Sequence, residues 1–73
     1  MTAQDEMNKL NLSQQRALRA VLRGRGRPVV FHVNERVSKV TAEFKYDSGL
    51  HVAHHVMLGK RGRIVFHEVQ KIN

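Results

Sequence analysis

The residues best suited to chemistry in this chain are its arginines. Arg16, Arg19, Arg23, Arg25 and Arg27 all fall within SQQRALRAVLRGRGR, the stretch from Ser13 to Arg27, and no acid interrupts them. A second acid-free basic cluster, Lys60, Arg61 and Arg63, lies further along. A guanidinium is a planar fork of donors that pairs two-pronged with a carboxylate or a phosphate. One arginine row alone is equally well a solvated helix face. Two acid-free clusters together point to a surface that grips something negative.

The histidines suggest a different chemistry, and the spacing argues against it. They are His32, His51, His54, His55 and His67. A zinc site needs ligands converging on one tetrahedral point. Along a strand, His54 and His55 point to opposite faces, while His51 and His55 share a face but stand roughly 13 Å apart. Cysteine is absent, so no metal or other cofactor is expected. His54, between Val52 and Val56, is expected to face the core with a hydrogen-bond partner. Ser13, Ser38 and Ser48 fall at a helix cap, a strand and a turn. No GxSxG or glycine-rich phosphate motif is present. The residues therefore read as those of a binding protein and not of an enzyme.

Size and charge set the frame. Seventy-three residues make one small domain, burying only about 60% of the surface the unfolded chain exposes. Thirteen basic residues against six acids give a net charge of +7, a field that draws in phosphates or acidic protein surfaces. Three Phe, one Tyr and no Trp leave few rings for stacking bases. The lack of cysteine suits a reducing compartment. MTAQDEMNKL lacks a basic-then-apolar start, and no apolar run approaches the roughly 20 residues of a membrane span. A cytoplasmic monomer away from membranes is expected.

The elements that must position these residues follow from periodicity. Residues 1–11 are polar and read as a mobile N-terminal arm, although Thr2 could cap a short turn that places Met7 and Leu10 on one side. Residues 12–73 read as a single small α+β domain. Within it, Ser13 is the expected N-cap of a helix over about 14–23. Ala17, Leu18, Val21 and Leu22 form its apolar stripe, Arg16, Arg19 and Arg23 lie opposite, and Gly24 follows the end. Strands are expected over Val29–Val33, Val37–Tyr46, Leu50–Leu58 and Arg63 to Val69 or Ile72, with a hairpin loop at Asp47-Ser48-Gly49. The resulting fold is one amphipathic helix packed on a small, mostly antiparallel sheet of three to four strands. Arg25-Gly26-Arg27-Pro28-Val29-Val30-Phe31-His32 is echoed by Arg61-Gly62-Arg63-Ile64-Val65-Phe66-His67, which would place two RGR turns at comparable strand ends.

Taken whole, the chain resembles the small phage-encoded regulators of bacterial RNA polymerase. The likeness lies in length, basic charge, absence of cysteine and the polar MTAQDEMNKLNLSQQ segment running into an arginine-bearing helix. The resemblance implies binding to the N-terminal part of the polymerase β′ subunit. It further implies inhibition of initiation, loss of the σ factor and suppression of termination. It brings no active-site residues.

The expected partner-binding residues rest on the charge argument instead. They are Arg16, Arg19, Arg23, Arg25 and Arg27, with Leu10 and Leu12 as apolar anchors and Lys60, Arg61 and Arg63 as a secondary basic turn. The alternative is a small basic DNA- or RNA-binding domain. It lacks the second helix of a helix-turn-helix and the aromatic pattern of an RRM. A basic adaptor or antitoxin-like protein differs from the first reading only in its target.

Overall fold

Val40, Ala42 and Phe44 alternate with Thr41, Glu43 and Lys45, and a strand turns such alternating residues to opposite faces. The structure, a computed structural model, describes residues 2–73. In it the three apolar side chains are buried, while their neighbours are half-buried or exposed. This strand is β2 (Lys39–Lys45). It pairs with β1 (Val30–Asn34) and with β3 (His51–Leu58), and β3 pairs with β4 (Ile64–Lys71). Every pairing is antiparallel, giving a four-stranded sheet in the order β1-β2-β3-β4. The fold is thus the expected α+β arrangement. Among the described residues it carries two helices, where one was expected.

Helix α2 (Leu12–Val21) begins at Leu12, ahead of the expected start, because Asn11 and not Ser13 caps it, in a reciprocal box with Gln14. The Asn11 side-chain oxygen accepts from the Gln14 N–H at 2.8 Å, and the Gln14 side-chain oxygen accepts from the Asn11 N–H at 3.0 Å. This reciprocal pair satisfies two donors that a helix start leaves open. The helix buries Leu18 against Val33, Val40 and Val56, which face one another across β1, β2 and β3.

Within the segment read as an N-terminal arm lies a helix, α1 (Ala3–Met7), capped by a Thr2–Asp5 box. Met1 lies outside the described residues. Glu6, Met7 and Leu10 are buried, and both apolar side chains join the core around Leu18. A core this small gains from every large side chain, since burying one contributes about 1.5–3 kcal/mol. That gain is the physical reason the segment packs. Among the described residues, no helix is long and apolar enough to cross a membrane.

Glu6 also closes one edge of the sheet. Its Oε1 accepts from the Val33 N–H at 2.9 Å, its Oε2 lies 2.9 Å from Lys9 Nζ, and His32 Nδ1 lies 3.3 Å from Oε1. An edge-strand donor that would otherwise invite another chain is thereby occupied. The opposite edge differs, because every residue of β4 is exposed.

The Lys9 ammonium first, and then the Val33 N–H, hold the Glu6 carboxyl below its ordinary value of 4.5. A carboxylate whose pKa is lowered on folding adds stability above its unfolded pKa and loses it as pH falls through the folded one. Chemical denaturation of the wild type from roughly pH 5 down to pH 3 should therefore show a steeper loss of stability than Glu6→Gln. Parallel curves for the two proteins would remove Glu6 as a source of acid lability.

Candidate functional site

Two basic segments that are distant in sequence meet at one end of the sheet. The start of α2 docks on the turn between β3 and β4 through three contacts. Asn11 Nδ2 donates to the Lys60 carbonyl at 2.7 Å. Gln14 Nε2 donates to the Gly59 carbonyl at 3.2 Å and also reaches Ser38 Oγ at 3.1 Å. Gly62 sits so close that a Cβ there would lie 2.6 Å from the Ser13 carbonyl oxygen. Its φ of +85° is a second reason for glycine at this position, since other residues find the left-handed region costly.

This docking brings Arg16 and Arg61 to one open groove, lined also by Ser13, Ala17, Ala20 and Gly62. The small residues keep it shallow, and the two guanidinium-bearing residues flank it. Arg16 and Arg19 lie one turn apart on the outer face of α2, and both are exposed. Arg23 is exposed just past the helix, and Lys60, Arg61 and Arg63 are exposed in the turn. Among the described residues, the ion pairs involve Lys9, His32 and His51, with Glu6 or Glu43 as acid, and none uses an arginine. The helix arginines are therefore free to meet an outside partner.

Not all the expected residues join this surface. Leu10 is buried in the core at 4% exposure, so it is no anchor for a partner. The segment around it packs as a helix and turn that carries Leu10 into the core. Leu12 is 76% exposed beside the basic face and stays available. Arg25 is half-buried and turned back, its Nε donating to the Val21 carbonyl at 3.5 Å. Arg27 is exposed just ahead of β1. β1 and β4 run in opposite directions, so the two RGR turns lie at opposite ends of the sheet and share only their position before an edge strand.

The histidines are divided between the faces. His54 faces the helix side, 1% exposed, with its Nδ1 3.1 Å from His67 Nε2. His55 faces the other way, its Nε2 3.2 Å from Gln70 Oε1 and its Nδ1 3.4 Å from Thr41 Oγ1. His51 Nε2 lies 2.8 Å from Glu43 Oε1. Among the described residues, no three His, Asp or Glu side chains gather as a metal-holding group. Burial first, then the Arg25 charge, pushes the His54 imidazole below its ordinary 6.5.

Sequence reasoning missed the residues that build the site, Asn11, Gln14 and Gly62. The Asn11-x-x-Gln14 spacing is a capping-box signal that was there to be read. The close approach of Gly62 to Ser13 had no local signal at all. No family model, curated protein or solved structure matches the chain.

Gly62→Ala should cost about 2–4 kcal/mol, from left-handed strain together with the overlap on Ser13. Gly26→Ala supplies the control, since Gly26 has φ +82° but nothing within 4 Å of a new Cβ. It should lose only about 1–2 kcal/mol. Equal losses in urea titrations of the two variants would mean that the helix does not rest on the turn.

Proposed function

We propose that this chain is a non-enzymatic regulator that binds an acidic protein surface through Arg16, Arg19, Arg23 and Arg61. The observation that carries the proposal is the convergence of Arg16 and Arg61 on one groove, with neither paired to a carboxylate among the described residues. Two forks beside a floor of Ala17, Ala20 and Gly62 suit carboxylates presented on a protein backbone that can come close. Exposed Leu12, next to this face, supplies an apolar contact.

The resemblance to phage regulators of RNA polymerase supplies the target of the proposal, the N-terminal region of the bacterial β′ subunit. A small basic protein seated there would act by occupying a surface that initiation and σ retention need. Inhibition of initiation and suppression of termination are the proposed outcomes, exerted in the cytoplasm of the host cell.

The test is co-elution of the purified chain with purified bacterial RNA polymerase at physiological salt. A stoichiometric complex is expected. Arg16→Glu with Arg19→Glu should weaken it at least about a hundredfold, since each charge-assisted hydrogen bond contributes roughly 1.5–3 kcal/mol. The double variant should keep its fold, because both side chains are exposed. Unchanged affinity would move the contact off the helix. Tight binding to polymerase-free nucleic acid, with affinity falling steeply as salt rises, would replace this reading with the nucleic-acid one.

A further inference from the structure

Strand β4 is held unevenly. Its start is pinned where the β3–β4 turn docks on α2, at Gly59, Lys60 and Gly62. Beyond that point it buries no side chain. Apart from the backbone ladder, the hydrogen bonds made by its side chains go to two neighbouring histidines of β3. His67 meets His54 on the helix side, and Gln70 meets His55 on the open side.

The His54–His67 contact has a specific geometry. The nitrogens are 3.1 Å apart while the ring centroids are 5.4 Å apart and the planes 27° off parallel. Rings related in this way meet edge to edge, with the nitrogens lying between the two centres. One nitrogen must donate the proton that the other accepts. His54 also packs edge-on against Phe44, ring centroids 5.5 Å apart, and is closed off from water.

We propose that the half of β4 from His67 to Lys71 is a proton-released flap: beside the backbone ladder and the Gln70–His55 bond, it is latched to β3 by a hydrogen bond that the imidazoles of His54 and His67 can make only while at least one is neutral. One added proton leaves the contact intact, since one nitrogen donates and the other still accepts. A second proton has no place in the closed state. It would put a charge on a buried ring, edge to edge with His67 and near Arg25.

The surroundings of the pair point the same way. Arg25, from the loop between α2 and β1, adds positive charge near His54, and so do His67 and His55. The β2 side chains at this level, Ala42 and Phe44, carry no charge. Lys71 of β4 lies opposite Val52, one pair further along the same face. On the open face the setting differs, because His55 is half-buried, lies opposite Glu68 in the ladder and is hydrogen-bonded to the neutral side chains of Thr41 and Gln70. Release therefore depends on His54. The freed flap binds one more proton than the latched one.

Uptake of one proton shifts the latch equilibrium by up to about tenfold per pH unit below roughly pH 6.5. The test is amide hydrogen exchange by NMR between pH 7.5 and 5.5, expressed as protection factors so that the intrinsic pH dependence of exchange cancels. Protection over residues 67–71 should fall with pH while the β1–β2 hairpin stays constant. His67→Gln should keep that slope, because His54 remains the group that cannot charge in place. His54→Gln should abolish it, because its side chain still accepts from His67 but does not titrate.

Protection that is flat in the wild type, or lost equally in β1 and β2, would overturn the proposal. So would a slope that survives in His54→Gln. Should that variant not fold, the wild-type His54 ring resonances decide the matter. Titration at or above pH 6.5 would mean that the buried ring charges in place and no latch exists.

Discussion

The buried carboxamide of Gln14 is the joint on which the structure turns. Its oxygen closes the cap of α2, and its nitrogen reaches Ser38 at the start of β2 together with the Leu58 and Gly59 carbonyls at the end of β3. A helix start, the β1–β2 connection and the β3–β4 connection thus converge on one side chain. Left unmade, each of these buried contacts would cost about 1–3 kcal/mol. The helix therefore cannot slide along the sheet without stranding polar groups. This fixed docking sets the distance between the basic helix face and the basic turn, and it makes one surface out of two.

Burial and charge are separated by the same docking. Leu18 and its valine partners take the inner side of α2, and among the described residues Arg16 and Arg19 form no ion pair. The acids near α1 are engaged elsewhere, Asp5 in a cap and Glu6 with Lys9 and Val33. Much of the net charge of +7 is therefore carried by exposed guanidinium groups that form no ion pair among the described residues, and a small protein tolerates this because these groups lie away from the core. Charge distributed in this way steers encounter with an acidic partner more than it stabilises the fold.

Much of the architecture was legible in the sequence. The alternation from Val40 to Phe44 marked β2, the period of Leu18 and Val21 marked a helix, and Asp47-Ser48-Gly49 marked a turn whose glycine does take φ +91°. What could not be read involved contacts across the chain. Nothing local to Met7 and Leu10 says that a core is waiting for them, and nothing local to Gly62 says that Ser13 will press on it. Arg25 belongs to the same dense run as its neighbours yet turns back towards the Val21 carbonyl. The arginine clusters were visible, but their meeting was not, since it depends on tertiary docking through Asn11 and Gln14.

The two margins of the sheet are finished differently, and this limits how molecules can assemble. A carboxylate sits on the β1 margin at Val33, while β4 carries Val65, Phe66 and Val69 in the open. Growth of a fibre by strand addition needs two receptive margins on every subunit, one to accept and one to extend. Molecules that meet here margin to margin use up the bare side of both, and the union ends as a pair that cannot propagate.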